Sequence, residues 1–223
     1  MKNIITFSLL ILIISTSNSF SKIEIKKVKK HNIELIKFQS PDNKFPGKDD
    51  IVAQIHFPKN FSGKLPVIIH QHGSNRDGLK FKRWGGKTDE WGKRISKEAV
   101  KRGYAVVLID AFYKRGITPQ NKGKFPNAVR IAINLKNVLQ KDERFDKNKF
   151  YFTGFSYGAS QTLKLQDKRL SGLKDNFKAV VAGEPGCNTV SNPTKSSIST
   201  LIIKGAESHY YPAACEYYIN MIK

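Results

Sequence analysis

Residues 152–160 read FTGFSYGAS. An apolar run stops at Gly154, a single serine follows, and the residues from Tyr157 onward read as a helix. The five letters Gly154 to Gly158, G-F-S-Y-G, match the pattern G-x-S-x-G, in which a serine is forced into a tight strand-to-helix turn. Glycine is needed on both sides because strand and helix pass so closely there that a Cβ atom has no room. The pattern alone is weak evidence; the strand before it and the helix after it supply the confirming context. Ser156 is thereby placed at the carboxyl edge of a sheet, where open α/β folds bind ligands. Its hydroxyl is a candidate nucleophile, against the plainer reading of an ordinary helix N-cap serine.

Working outward, the same alternation recurs. IELIKF and IVAQIHF read as an opening antiparallel hairpin, with SPDNKFPGKDD as the turn between them. LPVIIHQHGSNRDG is a buried strand emptying into a glycine-containing loop. A helix over Trp91 to Arg102 precedes the strand YAVVLID, and a helix over Ala128 to Gln140 precedes FYFTG. After the serine come a helix from Tyr157 to about Asp167, the strand KAVVAG, a loop with Pro185 and Cys187, the strand TLIIK, and a final helical segment with Pro212 in its first turn. Short apolar strands separated by helices predict an α/β class with a mainly parallel sheet and helices on both faces.

The N-terminus has a secretory layout: Lys2, the 11-residue apolar stretch Ile4 to Ile14, then STSNS. Such a stretch is short of the ~18 residues a membrane span needs. Residues 1–20 are expected to be a signal peptide cleaved near Ser19. Residues 21–223 are then expected to be one exported domain, periplasmic or extracellular, with no stable membrane insertion. The formal charge of +21 invites a nucleic-acid or anionic-envelope partner. The lysines are spread along the chain without a nucleic-acid motif, so a solvated basic surface is expected, with no nucleic-acid partner. Two cysteines, Cys187 and Cys215, fall where disulfides persist. A bridge between them is the first expectation, and two separate buried thiols the alternative.

A nucleophile of this kind needs oxyanion donors. The N–H of Tyr157, just after the serine, and an N–H near Ser74, in the loop HQHGSN, are the candidates. His70 and His72 precede the serine, whereas this arrangement supplies its base after it, so they are expected to fix the loop. Two histidines at i and i+2 without a third ligand make no metal site, and no cofactor is expected.

These motifs together resemble the dienelactone hydrolase family of α/β-hydrolases. IIHQHGS, RGYAVVLIDAFYKRG, FTGFSYGAS and the pair AVVAGEPGC and LIIKGAESHYYPAAC carry the resemblance, over roughly residues 50 to 220. It implies an α/β-hydrolase fold, Ser156 as nucleophile toward a small-molecule ester or lactone, and Cys187 paired with Cys215. Asp110, at the end of its strand, is expected to organise the loop containing Arg115 and to stay outside the catalytic triad.

The sequence departs from the family pattern twice. The triad aspartate should stand three residues after Gly205, where Ser208 is found; Glu207 beside it and Glu184 after the preceding strand are the candidate acids. The family's histidine follows one further strand, so the last strand and helix are expected to be missing. His209 is the histidine that follows Ser156, a candidate base in the order Ser156, Glu184, His209. An active serine hydrolase and a catalytically impaired relative that binds a small molecule or partner are both compatible with these departures.

Overall fold

The computed structural model describes residues 23–28, 32–81, 85–118, 124–170, 177–195, 198–208 and 210–223. The expected signal segment and His209 lie outside the described residues.

The opening hairpin is present as β2 (Ile33–Gln39) and β3 (Asp50–His56), paired antiparallel from Ile33 opposite His56 to Gln39 opposite Asp50. A strand that sequence reading passed over as charged surface, β1 (Glu24–Val28), pairs antiparallel with β2. Next follow β4 (Leu65–Gln71), a small separate ribbon of β5 (Leu79–Phe81) and β6 (Gly86–Thr88), and α1 (Glu90–Lys101). Beyond them lie β7 (Ala105–Asp110), α2 (Ala128–Leu139), β8 (Phe145–Phe155), α3 (Tyr157–Leu163), β9 (Ala179–Gly183), β10 (Ser199–Ile203) and α4 (Ala213–Ile222). The main sheet has the order β1-β2-β3-β7-β4-β8-β9-β10. Its strands from β7 to β10 are parallel, and β3 joins β7 antiparallel. This is an α/β-hydrolase fold.

The all-apolar strands sit at the sheet's centre because both of their faces are covered. All six residues of β7 are buried. Ala105, Val107 and Ile109 face one way, into the large core shared with Ile131, Ala132 and Leu135 of α2. Val106 and Leu108 face the other way, into a smaller core shared with Ile95, Ala99 and Val100 of α1. A third apolar cluster joins Ala159 and Leu163 of α3 to Ala182 of β9 and Tyr218 of α4. The cysteine bridge is formed: Cys187, in the loop after β9, is disulfide-bonded to Cys215 on α4. At the β10 edge, among the described residues, Leu201 and Ile203 are 55% and 42% exposed. No helix among the described residues is long and apolar enough to cross a membrane.

Candidate active site

Ser156 stands alone between β8 and α3 with φ 51° and ψ −113°. A positive φ in a residue with a Cβ is costly and is held only where the surroundings enforce it. Here its N–H donates to the Gly183 carbonyl of β9 at 2.8 Å, and its own carbonyl accepts the Ser160 N–H at 3.0 Å. The flanking glycines explain themselves. A Cβ on Gly158 would lie 2.1 Å from the Gln71 carbonyl oxygen, and one on Gly154 would lie 2.2 Å from the Gly158 carbonyl carbon. β4, β8 and α3 thus approach so closely that only glycine fits, as the spacing G-x-S-x-G predicts.

Tyr157 opens α3, so its N–H is among those a helix leaves without an internal acceptor. Its ring is buried against Phe112 and Phe125, its hydroxyl donates to the Pro126 carbonyl at 2.7 Å, and burial pushes the phenol well above its ordinary pKa. The loop carrying Ser74 faces the serine: a Cβ on Gly73 would stand 3.4 Å from Ser156 Cβ. Ser74 and Ser156 line one cleft of about 300 Å³, walled by Trp91 and Phe155, whose rings stack at 5.3 Å.

What fixes that loop is a residue that sequence reading missed. Asp89 caps α1 by accepting the Gly92 N–H at 2.7 Å, and its other oxygen accepts the Gly73 N–H at 2.6 Å. His70 Nε2 lies 2.9 Å from the same carboxylate and must donate to it, since a carboxylate has only acceptors. Burial pushes the Asp89 carboxyl up, but His70 and the two N–H donors outweigh that and hold it below its ordinary value. The signal was present in the sequence as an aspartate directly before a helix start.

His72 is also a fixing residue. Its Nδ1 meets the Gly73 carbonyl at 2.5 Å and therefore carries the proton, while Nε2 accepts the Ala111 N–H at 3.2 Å. Asp110 organises the neighbouring loops, though not through Arg115. It receives Arg76 Nη1 at 2.8 and 2.9 Å, the Lys87 N–H at 2.8 Å and the Phe112 N–H at 3.0 Å. Burial pushes its carboxyl up, and the Arg76 guanidinium and the Lys87 N–H bring it below the ordinary value. Arg115 is turned instead onto the carbonyls of Ser40, Lys48 and Ala111.

The candidate acids separate. Glu207 is exposed on the turn after β10. Glu184, with φ 55°, accepts the Gly205 N–H at 2.6 Å and stands 3.8 Å from Lys204 Nζ. Ser208, at the position where an aspartate was expected, accepts Lys204 Nζ at 2.9 Å and the Tyr210 N–H at 3.3 Å. Tyr210, which sequence reading passed over, brings its hydroxyl to 3.4 Å from Ser156 Oγ. No group of three or more metal-ligating side chains occurs among the described residues.

Solved structures share this architecture. The acetyl xylan esterase from Paenibacillus sp. R4 is 14% identical over 91% of this chain and 79% of its own, with a TM-score of 0.58. A protein from Klebsiella pneumoniae subsp. pneumoniae assigned as a dienelactone hydrolase is 15% identical over 85% and 80%, with a TM-score of 0.57. An α/β serine hydrolase without a lid from Xanthomonas campestris is 15% identical over 80% and 77%, with a TM-score of 0.55. At these identities the likeness is one of fold. No protein-family model matches the sequence, and no curated protein matches it.

Proposed function

We propose that the chain is an exported serine hydrolase of the dienelactone hydrolase type, acting on an ester, lactone or related acyl bond through Ser156. The observation that carries this reading is the backbone of Ser156 itself. A non-glycine residue at φ 51° is held between a strand and a helix, with the Gly73–Ser74 loop across from it. Ser156 Oγ attacks the acyl carbon, and the N–H groups of Tyr157 and Ser74 receive the oxyanion. The proton acceptor comes from the loop after β10, which carries Glu207, Ser208, His209 and Tyr210. His209 served by Glu207 or Glu184 is one arrangement of it. Residues 21–223 form the hydrolase domain behind a signal segment, and the Cys187–Cys215 bridge fits an oxidising compartment.

A fluorophosphonate probe, which reacts only with an activated serine, tests this. Labelling of the folded protein that disappears in Ser156→Ala is expected. A folded protein that does not label favours the second reading, a ligand-binding relative without turnover, which the serine at position 208 already supports.

A further inference from the structure

The loop that should supply an aspartate and lead toward a histidine supplies a different set of side chains. Lys204 follows β10 and has a side chain only 9% exposed. Its ammonium is held by Ser208 Oγ at 2.9 Å and the Pro185 carbonyl at 3.4 Å, with Glu184 at 3.8 Å. It stands 5.1 Å from the ring centroid of Tyr210. The same Ser208 oxygen accepts the Tyr210 N–H, and the Tyr210 hydroxyl faces Ser156 Oγ. Ser208, Lys204, Tyr210 and Ser156 therefore form one connected line ending on the nucleophile.

We propose that Tyr210 is the catalytic residue that takes the proton from Ser156, with Lys204 as the cation that holds its phenolate; this rests on Ser156 being a hydrolytic nucleophile. A cation over an aromatic ring is attracted to its face, and the attraction grows when the ring carries the charge of a phenolate. The phenolate oxygen accepts the Ser156 O–H proton as Oγ bonds to the acyl carbon. Tyr210 then gives that proton to the leaving alkoxide as its C–O bond breaks, leaving acyl-Ser156 and a restored phenolate. Water attacks the acyl carbon while Tyr210 takes its proton, and the proton passes to Ser156 Oγ as the acyl bond breaks and the carboxylic acid departs. Ser208 acts through its neighbours, as a positioning residue for Lys204 and Tyr210, which gives a physical use to the serine found where an acid was expected.

Fluorophosphonate labelling rates of variants with unchanged far-UV circular dichroism and melting midpoint test the relay. Tyr210→Phe is expected to slow labelling about 100-fold or more, the usual contribution of a general base. Lys204→Met is expected to slow it about 10-fold or more, by withdrawing the cation that stands over the Tyr210 ring. Tyr210→His, which restores a proton acceptor, is expected to recover at least about 10-fold over Tyr210→Phe. Wild-type protein that labels while Tyr210→Phe labels within about threefold of it overturns the relay and leaves the hydrolase reading standing. So does loss of labelling in His209→Ala with retention in Tyr210→Phe. Recovery absent in Tyr210→His assigns Tyr210 to spacing alone and also overturns it. Wild-type protein that never labels overturns both readings.

Discussion

The Asp89 carboxylate accepts the Gly73 N–H at 2.6 Å, so the loop facing Ser156 is fixed by the N-cap of the neighbouring helix. One side chain serves two ends: Asp89→Ala frees the Gly92 cap and the Gly73 loop together and leaves His70 Nε2 without its acceptor. Breaking a buried charged cluster of this kind costs about 3–5 kcal/mol. For a domain of this size that corresponds to a fall of roughly 8 °C or more in melting midpoint. Thermal melts followed by circular dichroism check it, and a midpoint within about 2 °C of wild type would contradict the assignment.

Gly158 and Gly73 border the same serine but differ in room. A Cβ on Gly158 would meet two backbone oxygens, of Gln71 at 2.1 Å and of His72 at 2.8 Å, neither of which can swing aside. A Cβ on Gly73 would meet the Phe155 ring and the Phe155 carbonyl oxygen at 3.3 Å, a crowding that a shift of a few tenths of an ångström relieves. Overpacking costs about 1–3 kcal/mol in ordinary cores and more where backbone must shift. Gly158→Ala is therefore expected to lose more than about 3 kcal/mol and Gly73→Ala less than about 2 kcal/mol in urea unfolding. The reverse order would show that the elbow is looser than its contacts.

Much of this was legible in the sequence because periodicity and glycine spacing are local signals. The central strands LPVIIHQ, YAVVLID, KAVVAG and TLIIK, the two long helices and the serine turn come out within a residue or two, since buried parallel strands are apolar throughout. β8 begins at Phe145, five residues before FYFTG, because its first half is polar and exposed, and the ribbon of β5 and β6 went unread. β1 was hidden because EIKKV reads as charged surface, whereas the strand pairs with β2 through its backbone. The predicted helix to Asp167 ends instead at Leu163, giving way to a 3-10 turn over Lys164–Gln166. Asp89 is legible as a helix cap, but its bonds to Gly73 and His70 cross 16 and 19 positions and escaped, as did Tyr210, which reaches Ser156 across 54 positions. The disulfide was legible because two cysteines leave one pairing.

His56, at the end of β3, makes stability pH-dependent. Burial lowers its pKa from 6.5 to about 4, because the charged imidazolium is poorly solvated there. The unfolded chain therefore binds a proton at higher pH than the folded one, and acidification favours unfolding. His56 contributes its full stability above pH 6.5 and loses it as pH falls toward 4. His56→Gln should flatten the stability curve in that window. Below it the carboxylates take over, led by Asp167, which its bond to Arg169 holds at about 2 against burial. Its stabilisation is present above the ordinary carboxylate range and is lost as pH falls toward 2. Urea midpoints from pH 7 to 4 check the first part; a curve unchanged by His56→Gln would refute it.

The Cys187–Cys215 bridge closes 28 positions of chain and ties α4 to the loop after β9. Without it α4 is retained by the packing of Ala214, Ile219 and Ile222 and by Tyr218, which is buried in the same cluster as Leu163 of α3 and donates to the Leu163 carbonyl at 3.3 Å. Loop-closure entropy assigns a bridge of this span about 3–4 kcal/mol. Reduction, or Cys187→Ala with Cys215→Ala, should therefore lower the melting midpoint by roughly 8 °C or more. The effect should also reach the site, because Tyr210 lies just before α4 and its ring packs 3.3 Å from where a Gly186 Cβ would stand, next to Cys187. Fluorophosphonate labelling measured below the new midpoint is expected to slow on reduction. Unchanged labelling in the reduced, folded protein would show that the bridge supports α4 without helping to place Tyr210.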